Sequence, residues 1–259
     1  MARKARKLQE PLPPPLPPET RPIGQLIAES IRLYGRRFWP ALALGLGPAV
    51  SAVGARFIPG WWDLLFMLTA GALLMTASFI GGVLIAANEP PMPRRIAIAA
   101  AIGWVLFIPT VFLYSFVILP AVVWLALFGL AVPVALLEGR GPLASVRRGF
   151  QLARADPIHA IGSLAALVIV SFLTATTLFV LLRGGSKIAL SSAAFVSLVF
   201  ISPLLFLGAG LLYFDQAARL ASSPRQRSRD ADLHHAHDPD RPGRANAEGK
   251  PRPATGGQP

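Results

Sequence analysis

Residues 96–137 read IAIAAAIGWVLFIPTVFLYSFVILPAVVWLALFGLAVPVALL, 42 consecutive positions without a charged side chain. As one helix rising 1.5 Å per residue, the stretch would reach about 63 Å, twice the roughly 30 Å hydrocarbon thickness of a bilayer. It therefore reads as two membrane spans joined by a tight turn, with Pro109 and Pro120 bracketing the reversal. A single span followed by an interfacial segment is the alternative division.

The flanking sequence repeats the pattern. Upstream, about Leu64–Ala87 is apolar and uncharged, and about Trp39–Ile58 is rich in Gly and Ala, with Arg56 near its far end. Downstream, about Ile158–Leu182 and Ile188–Tyr213 give two more spans. Hydrophobic residues make up 53% of the 259-residue chain and charged residues only 15%, well below the quarter or so of a soluble domain. The sequence thus predicts an all-α polytopic membrane bundle of about six transmembrane helices in three hairpins.

Charge fixes the expected orientation. With both termini on one side, 22 of the 25 Lys and Arg fall on that side and three, Arg56, Arg183 and Lys187, on the other. Cytoplasmic loops carry the excess of cations, so the termini are expected in the cytoplasm and the bilayer is expected to be an inner membrane. The net charge of +12 follows from the same bias, and nucleic acid is not expected as a partner. There is no cysteine, which removes disulfide and thiolate chemistry.

Two short segments have another character. Ile23, Leu26, Ile27, Ile31, Tyr34 and Phe38 recur at three- and four-residue spacing, with Glu29, Arg32 and Arg36 elsewhere on the wheel. Residues 23–38 therefore predict an amphipathic helix lying along the membrane surface. Residues 142–155 predict a second. There Pro142 suits the first turn, Leu143, Val146, Phe150 and Ala153 line one side, and Arg147, Arg148 and Arg154 are the basic positions. Residues 1–22, basic and then proline-rich, are expected as an extended tail with no signal peptide. Residues 220–259 are expected as a second, disordered tail.

The stretch from Arg21-Pro22-Ile23-Gly24-Gln25-Leu26-Ile27 through Tyr34-Gly35-Arg36-Arg37-Phe38-Trp39 resembles the opening of the membrane domain associated with bacterial glycerophosphoryl diester phosphodiesterases. Related YciC-like multi-pass inner-membrane proteins are similar. Pro133 through Glu138, the Ala144–Leu152 segment and the closing Leu212-Tyr213-Phe214-Asp215 resemble further parts of that family. Gly149 stands where such proteins often have serine, and Gln216-Ala217-Ala218 departs from their basic continuation. The resemblance spans about residues 21–219 and implies a multi-pass module of unknown function. The phosphodiesterase chemistry sits in a separate soluble barrel, so no catalytic residue carries over.

This layout places no ionisable side chain at mid-bilayer, which argues against proton-coupled transport and intramembrane general-base catalysis. Arg36, Arg37, Arg147, Arg148 and Arg154 are candidate ligands for anionic headgroups. Glu138, Arg140 and Asp215 are a candidate polar cluster at the ends of spans four and six. His234, His235 and His237 read as a solvated tail, so no metal and no cofactor is expected. Prolines and glycines within the spans, such as Pro48, Pro203, Gly208 and Gly210, read as kinks and close contacts. The function expected is a non-enzymatic module organising lipid or a membrane-protein partner. A small transporter or channel, and a lipid-modifying enzyme, are the alternatives. A topology reporter inserted between Tyr114 and Pro120 is expected on the face opposite to one at residues 139–141; the same face for both would leave a single span.

Overall fold

A computed structural model describes residues 17–88, 90, 92–116, 118–182 and 187–222. The chain divides into two units, Met1–Leu220 and Ala221–Pro259, and the first carries the helical bundle. The basic start of the N-terminal tail, Arg183 and the histidine-bearing tail lie outside the described residues.

The elements run α1 (Ile23–Arg36), α2 (Phe38–Leu44), α3 (Leu46–Phe57), α4 (Trp62–Phe66), α5 (Ala72–Ala87), α6 (Pro93–Phe116), α7 (Ile118–Phe128), α8 (Ala131–Pro133), α9 (Pro142–Ala153), α10 (Pro157–Leu182) and α11 (Lys187–Ser222). There is no strand among the described residues. Six stretches are long and apolar enough to cross a membrane: Phe38–Phe57, Trp62–Ala87, Pro93–Leu113, Ile118–Glu138, Pro157–Thr174 and Ser192–Ser222. The protein is an all-α, multi-pass membrane bundle.

The 42-residue run does divide. Trp124 Nε1 donates to the Leu106 carbonyl at 3.0 Å, and Arg95 Nη1 donates to the Leu137 carbonyl at 3.1 Å. The first pair is centred on residue 115 and the second on 116, so α6 and α7 run antiparallel and reverse between Pro109 and Pro120.

Two boundaries move. The N-terminal tail was expected to run to residue 22, yet Arg21 is tied into the bundle by an ion pair with Asp215. The sixth span was expected to end at about Tyr213 and the disordered tail to begin at residue 220, yet α11 continues to Ser222, its final turns held by polar contacts that the apolar pattern does not reveal.

Helices in hydrocarbon gain little from hydrophobicity against one another, so close contact of shape has to hold them. A Cβ on Gly82 of α5 would lie 2.7 Å from the Phe206 carbonyl oxygen, and one on Gly210 of α11 3.2 Å from the Gly82 carbonyl oxygen. The two glycines therefore let α5 and α11 cross backbone to backbone. Gly45, at the break between α2 and α3, packs onto the Val199 carbonyl. That carbonyl is the one Pro203 leaves without its helical donor, since proline carries no N–H.

The same logic places α9. Its buried residues are Ser145, Gly149, Leu152 and Ala153, whereas Leu143 is 65% exposed. The seam is thus rotated from the expected Leu143–Val146–Phe150–Ala153 side toward Ser145, Gly149 and Leu152, with Ala153 common to both. Gly149 faces the break after α7, where a Cβ would lie 2.5 Å from the Ala131 nitrogen. Phe150 stacks on Phe128 with centroids 5.6 Å apart.

Gly82→Ala and Gly149→Ala are each expected to cost about 1–3 kcal/mol, because backbone cannot give way as a side chain can. Gly35→Ala, with nothing within 4 Å, is expected to stay within about 0.5 kcal/mol of wild type. Thermal unfolding of the solubilised protein checks the contrast.

Candidate functional site

Following the chain through its spans puts the ends of α1, α5, α8, α9 and α11 and the starts of α6 and α10 at one end of the bundle. The polar side chains collect there in two groups on either side of α11.

The first group surrounds Glu138. A π-helical turn over Val134–Glu138 closes the fourth span, and Gly139 then takes a left-handed conformation, φ 67°. Such turns often coincide with functional positions. Arg140 Nε lies 2.5 Å from Glu138 Oε2, Arg148 Nε lies 3.6 Å from Oε1, and the Tyr213 hydroxyl donates to Oε1 at 3.1 Å. Arg95, half-buried, reaches across Gly139: a Cβ on that glycine would sit 2.9 Å from Arg95 Nε.

The second group surrounds Asp215. Two residues past Tyr213 is about 200° around a helix, so Asp215 faces away from Glu138. Its Oδ1 accepts from Arg21 Nη1 at 2.9 Å, and its Oδ2 lies 3.6 Å from His159 Nε2. Asp215 and Gln216 are fully buried. Asp156 caps the start of α10, accepting from the His159 backbone N–H at 2.9 Å. Arg219 then closes the group. It donates to Asp156 Oδ2 at 2.7 Å and to the Arg21 carbonyl at 2.8 Å, and its Nη2 lies 3.4 Å from His159 Nδ1. Against Arg219, which can only donate, His159 Nδ1 can serve only as an acceptor.

Glu138 and Arg140 are thus brought together, and Asp215 is not with them. The sequence reading set Asp215 near Arg140, Arg147 and Arg148; its cation is instead Arg21, 194 positions away. Of the headgroup candidates, Arg36, Arg37, Arg147 and Arg154 are exposed, while Arg148 is half-buried against Glu138. Arg37 donates to Asn88 Oδ1 at 2.5 Å, and Arg154 lies 4.9 Å above the Phe150 ring. Arg95, Asp156, His159, Tyr213 and Arg219 were not singled out from sequence. Asp156 carried a signal, an N-cap residue ahead of a proline at the first helical position, and His159 is the one histidine outside the tail.

The bundle also holds an apolar cavity of about 60 Å³ between α7, α10 and α11, walled by Val122, Leu125, Leu164, Val168 and Leu205. Its walls offer no charged or hydrogen-bonding side chain.

The fold and the polar end define a multi-pass helical membrane protein with an arginine-rich face. No family model, no curated protein and no solved structure matches the chain.

Breaking a buried ion pair by removing one partner strands a charge, at about 3–5 kcal/mol. Arg21→Ala is expected to lower thermal stability on that scale, and adding Asp215→Asn to recover part of the loss. Strictly additive losses would show that the two side chains do not act as a pair.

Proposed function

We propose that this protein is a non-enzymatic module of a bacterial cytoplasmic membrane, with both termini in the cytoplasm. Its arginine-rich end gathers anionic lipid, and with it partner proteins, at the cytoplasmic face. The observation that carries the reading is an asymmetry. Thirteen Lys and Arg fall within the described residues, and eleven lie at one end of the bundle, with Arg56 and Lys187 at the other.

That distribution is what the positive-inside bias produces, and it supports the orientation. The exposed Arg36, Arg37, Arg147 and Arg154 share that end with exposed Trp39, Leu143 and Ile158. Cations beside apolar and indole side chains match the headgroup boundary, where charge stays in the polar layer and the rest enters hydrocarbon. The resemblance of residues 21–219 to the phosphodiesterase-associated membrane domain supports a module without chemistry of its own. A transporter is less well supported, because the cavity walls offer a polar solute no partner.

Each surface arginine contributes about 1 kcal/mol toward anionic lipid, less at high salt. A variant with Arg36, Arg37, Arg147 and Arg154 changed to Ala is expected to lose most of the enrichment of anionic over zwitterionic lipid in the copurifying shell. Mass spectrometry of that lipid, from wild type and variant solubilised alike, measures it. Equal enrichment in the two would overturn the proposal.

A further inference from the structure

We propose that Arg95, Arg140 and Arg148, arranged around Glu138 at the junction of α8 and α9, form a binding site for a phosphomonoester. The inference deepens the lipid reading above and rests on it for the setting of the site, but it concerns different arginines from the exposed surface set.

The first argument is charge. Three guanidinium groups and one carboxylate leave a local excess of two positive charges, and a phosphomonoester carries about −1.5 to −2 at neutral pH. A phosphodiester, with a single charge, would satisfy half of it. Phospholipid headgroups divide along this line, so the excess suits the doubly charged ones, and the guanidinium forks supply the discrimination.

The second argument is geometry. Glu138 meets Arg140 and Arg148 at their Nε atoms, at 2.5 and 3.6 Å. A contact made at Nε leaves the end-on face of the guanidinium, between its two Nη atoms, open to another acceptor. Those Nη atoms have no protein partner among the described residues, and Arg148 Nε is buried without a hydrogen bond. A guanidinium fork matches the spacing of phosphate oxygens. Glu138 therefore aims the forks, and it is itself fixed by the Tyr213 hydroxyl at 3.1 Å.

Access completes the case. Arg140 is half-exposed, with 49% of its side chain in contact with the surroundings, and Arg148 retains 27%. Arg95 enters from the other side because Gly139 has no side chain to block it. Arg95, whose Nη1 holds the Leu137 carbonyl, lies beside Gly139, while Arg140 and Arg148 lie against Glu138, so the three cations border the same turn at the end where headgroups lie.

The shared chemistry could come from a lipid such as phosphatidic acid or from a soluble phosphomonoester, and one experiment separates them. The purified protein is placed in nanodiscs containing equal mole fractions of phosphatidic acid and phosphatidylglycerol, and the bound lipids are weighed by native mass spectrometry. Glycerol 1-phosphate binding is measured in parallel. The decisive variant is Arg140→Lys/Arg148→Lys, which keeps the charges and removes the forks.

Wild type is expected to favour phosphatidic acid over phosphatidylglycerol, and the double lysine variant to reduce that ratio at least about fivefold, the equivalent of one arginine contact. Binding of glycerol 1-phosphate by wild type but not by the variant, without a lipid preference, would keep the site and assign it to a soluble ligand. Wild type that discriminates neither probe, or a lysine variant that matches it on both, would overturn the inference. Anionic enrichment that persists while wild type discriminates between neither the lipids nor glycerol 1-phosphate and buffer sinks this site alone. Discrimination that persists in a protein with no general anionic enrichment sinks the surface reading and leaves the site standing.

Discussion

Hydrocarbon offers neither a hydrogen bond nor a counter-charge, and the rest of this structure follows from that. Backbone polar groups must be satisfied within helices, so the chain is helical throughout its described spans. Ionisable groups must lie at the ends or be paired, so the charged side chains gather where the helices leave the apolar layer. With the hydrophobic effect weak between helices, contact depends on how near two backbones can come. Gly45 against the Val199 carbonyl, Gly149 against Ala131, Gly47 against the Leu74 carbonyl and Gly82 against the Phe206 carbonyl are such close approaches.

The polar end obeys the same constraint in two ways. Asp215 itself is fully buried, and the carboxylate is offset by Arg21 while Asp156 and Arg219 tie the neighbouring helix start to it. This group joins the lead-in segment, α10 and α11, and its positive and negative charges balance. Around Glu138, burial is partial and the cations outnumber the carboxylate. The balanced group serves as a fastening; the unbalanced one has charge left to direct at something else.

Much of the architecture was legible because hydropathy is a local property. A 42-residue uncharged run is too long for one span wherever it folds, and the reversal falls between the two prolines that mark it. What sequence did not disclose is pairing at a distance. Asp215 lies nearer in sequence to the arginines of α9 than to Arg21, so charge arithmetic assigned it to the wrong neighbours. The direction of a side chain around α11, not its position along it, decides between them. The α9 seam was misread for a related reason. A helical wheel seeks the largest apolar side chains, but a helix lying against a backbone break needs its smallest ones, Ser145, Gly149 and Ala153, at the contact. Arg140 beside Glu138 was readable because the two are adjacent across a tight turn.

Tyr213 and Asp215 leave α11 on nearly opposite sides, one gripping the Glu138 group and the other the Asp215 group. A rotation of that helix end about its own axis would carry both side chains away from their partners at once. The last turns of α11 therefore act as a spindle keyed on two flanks, resisting torque in either sense. Through the last turns of α11, Tyr213 and Asp215 tie the turn at Glu138 to the segment that carries Arg21.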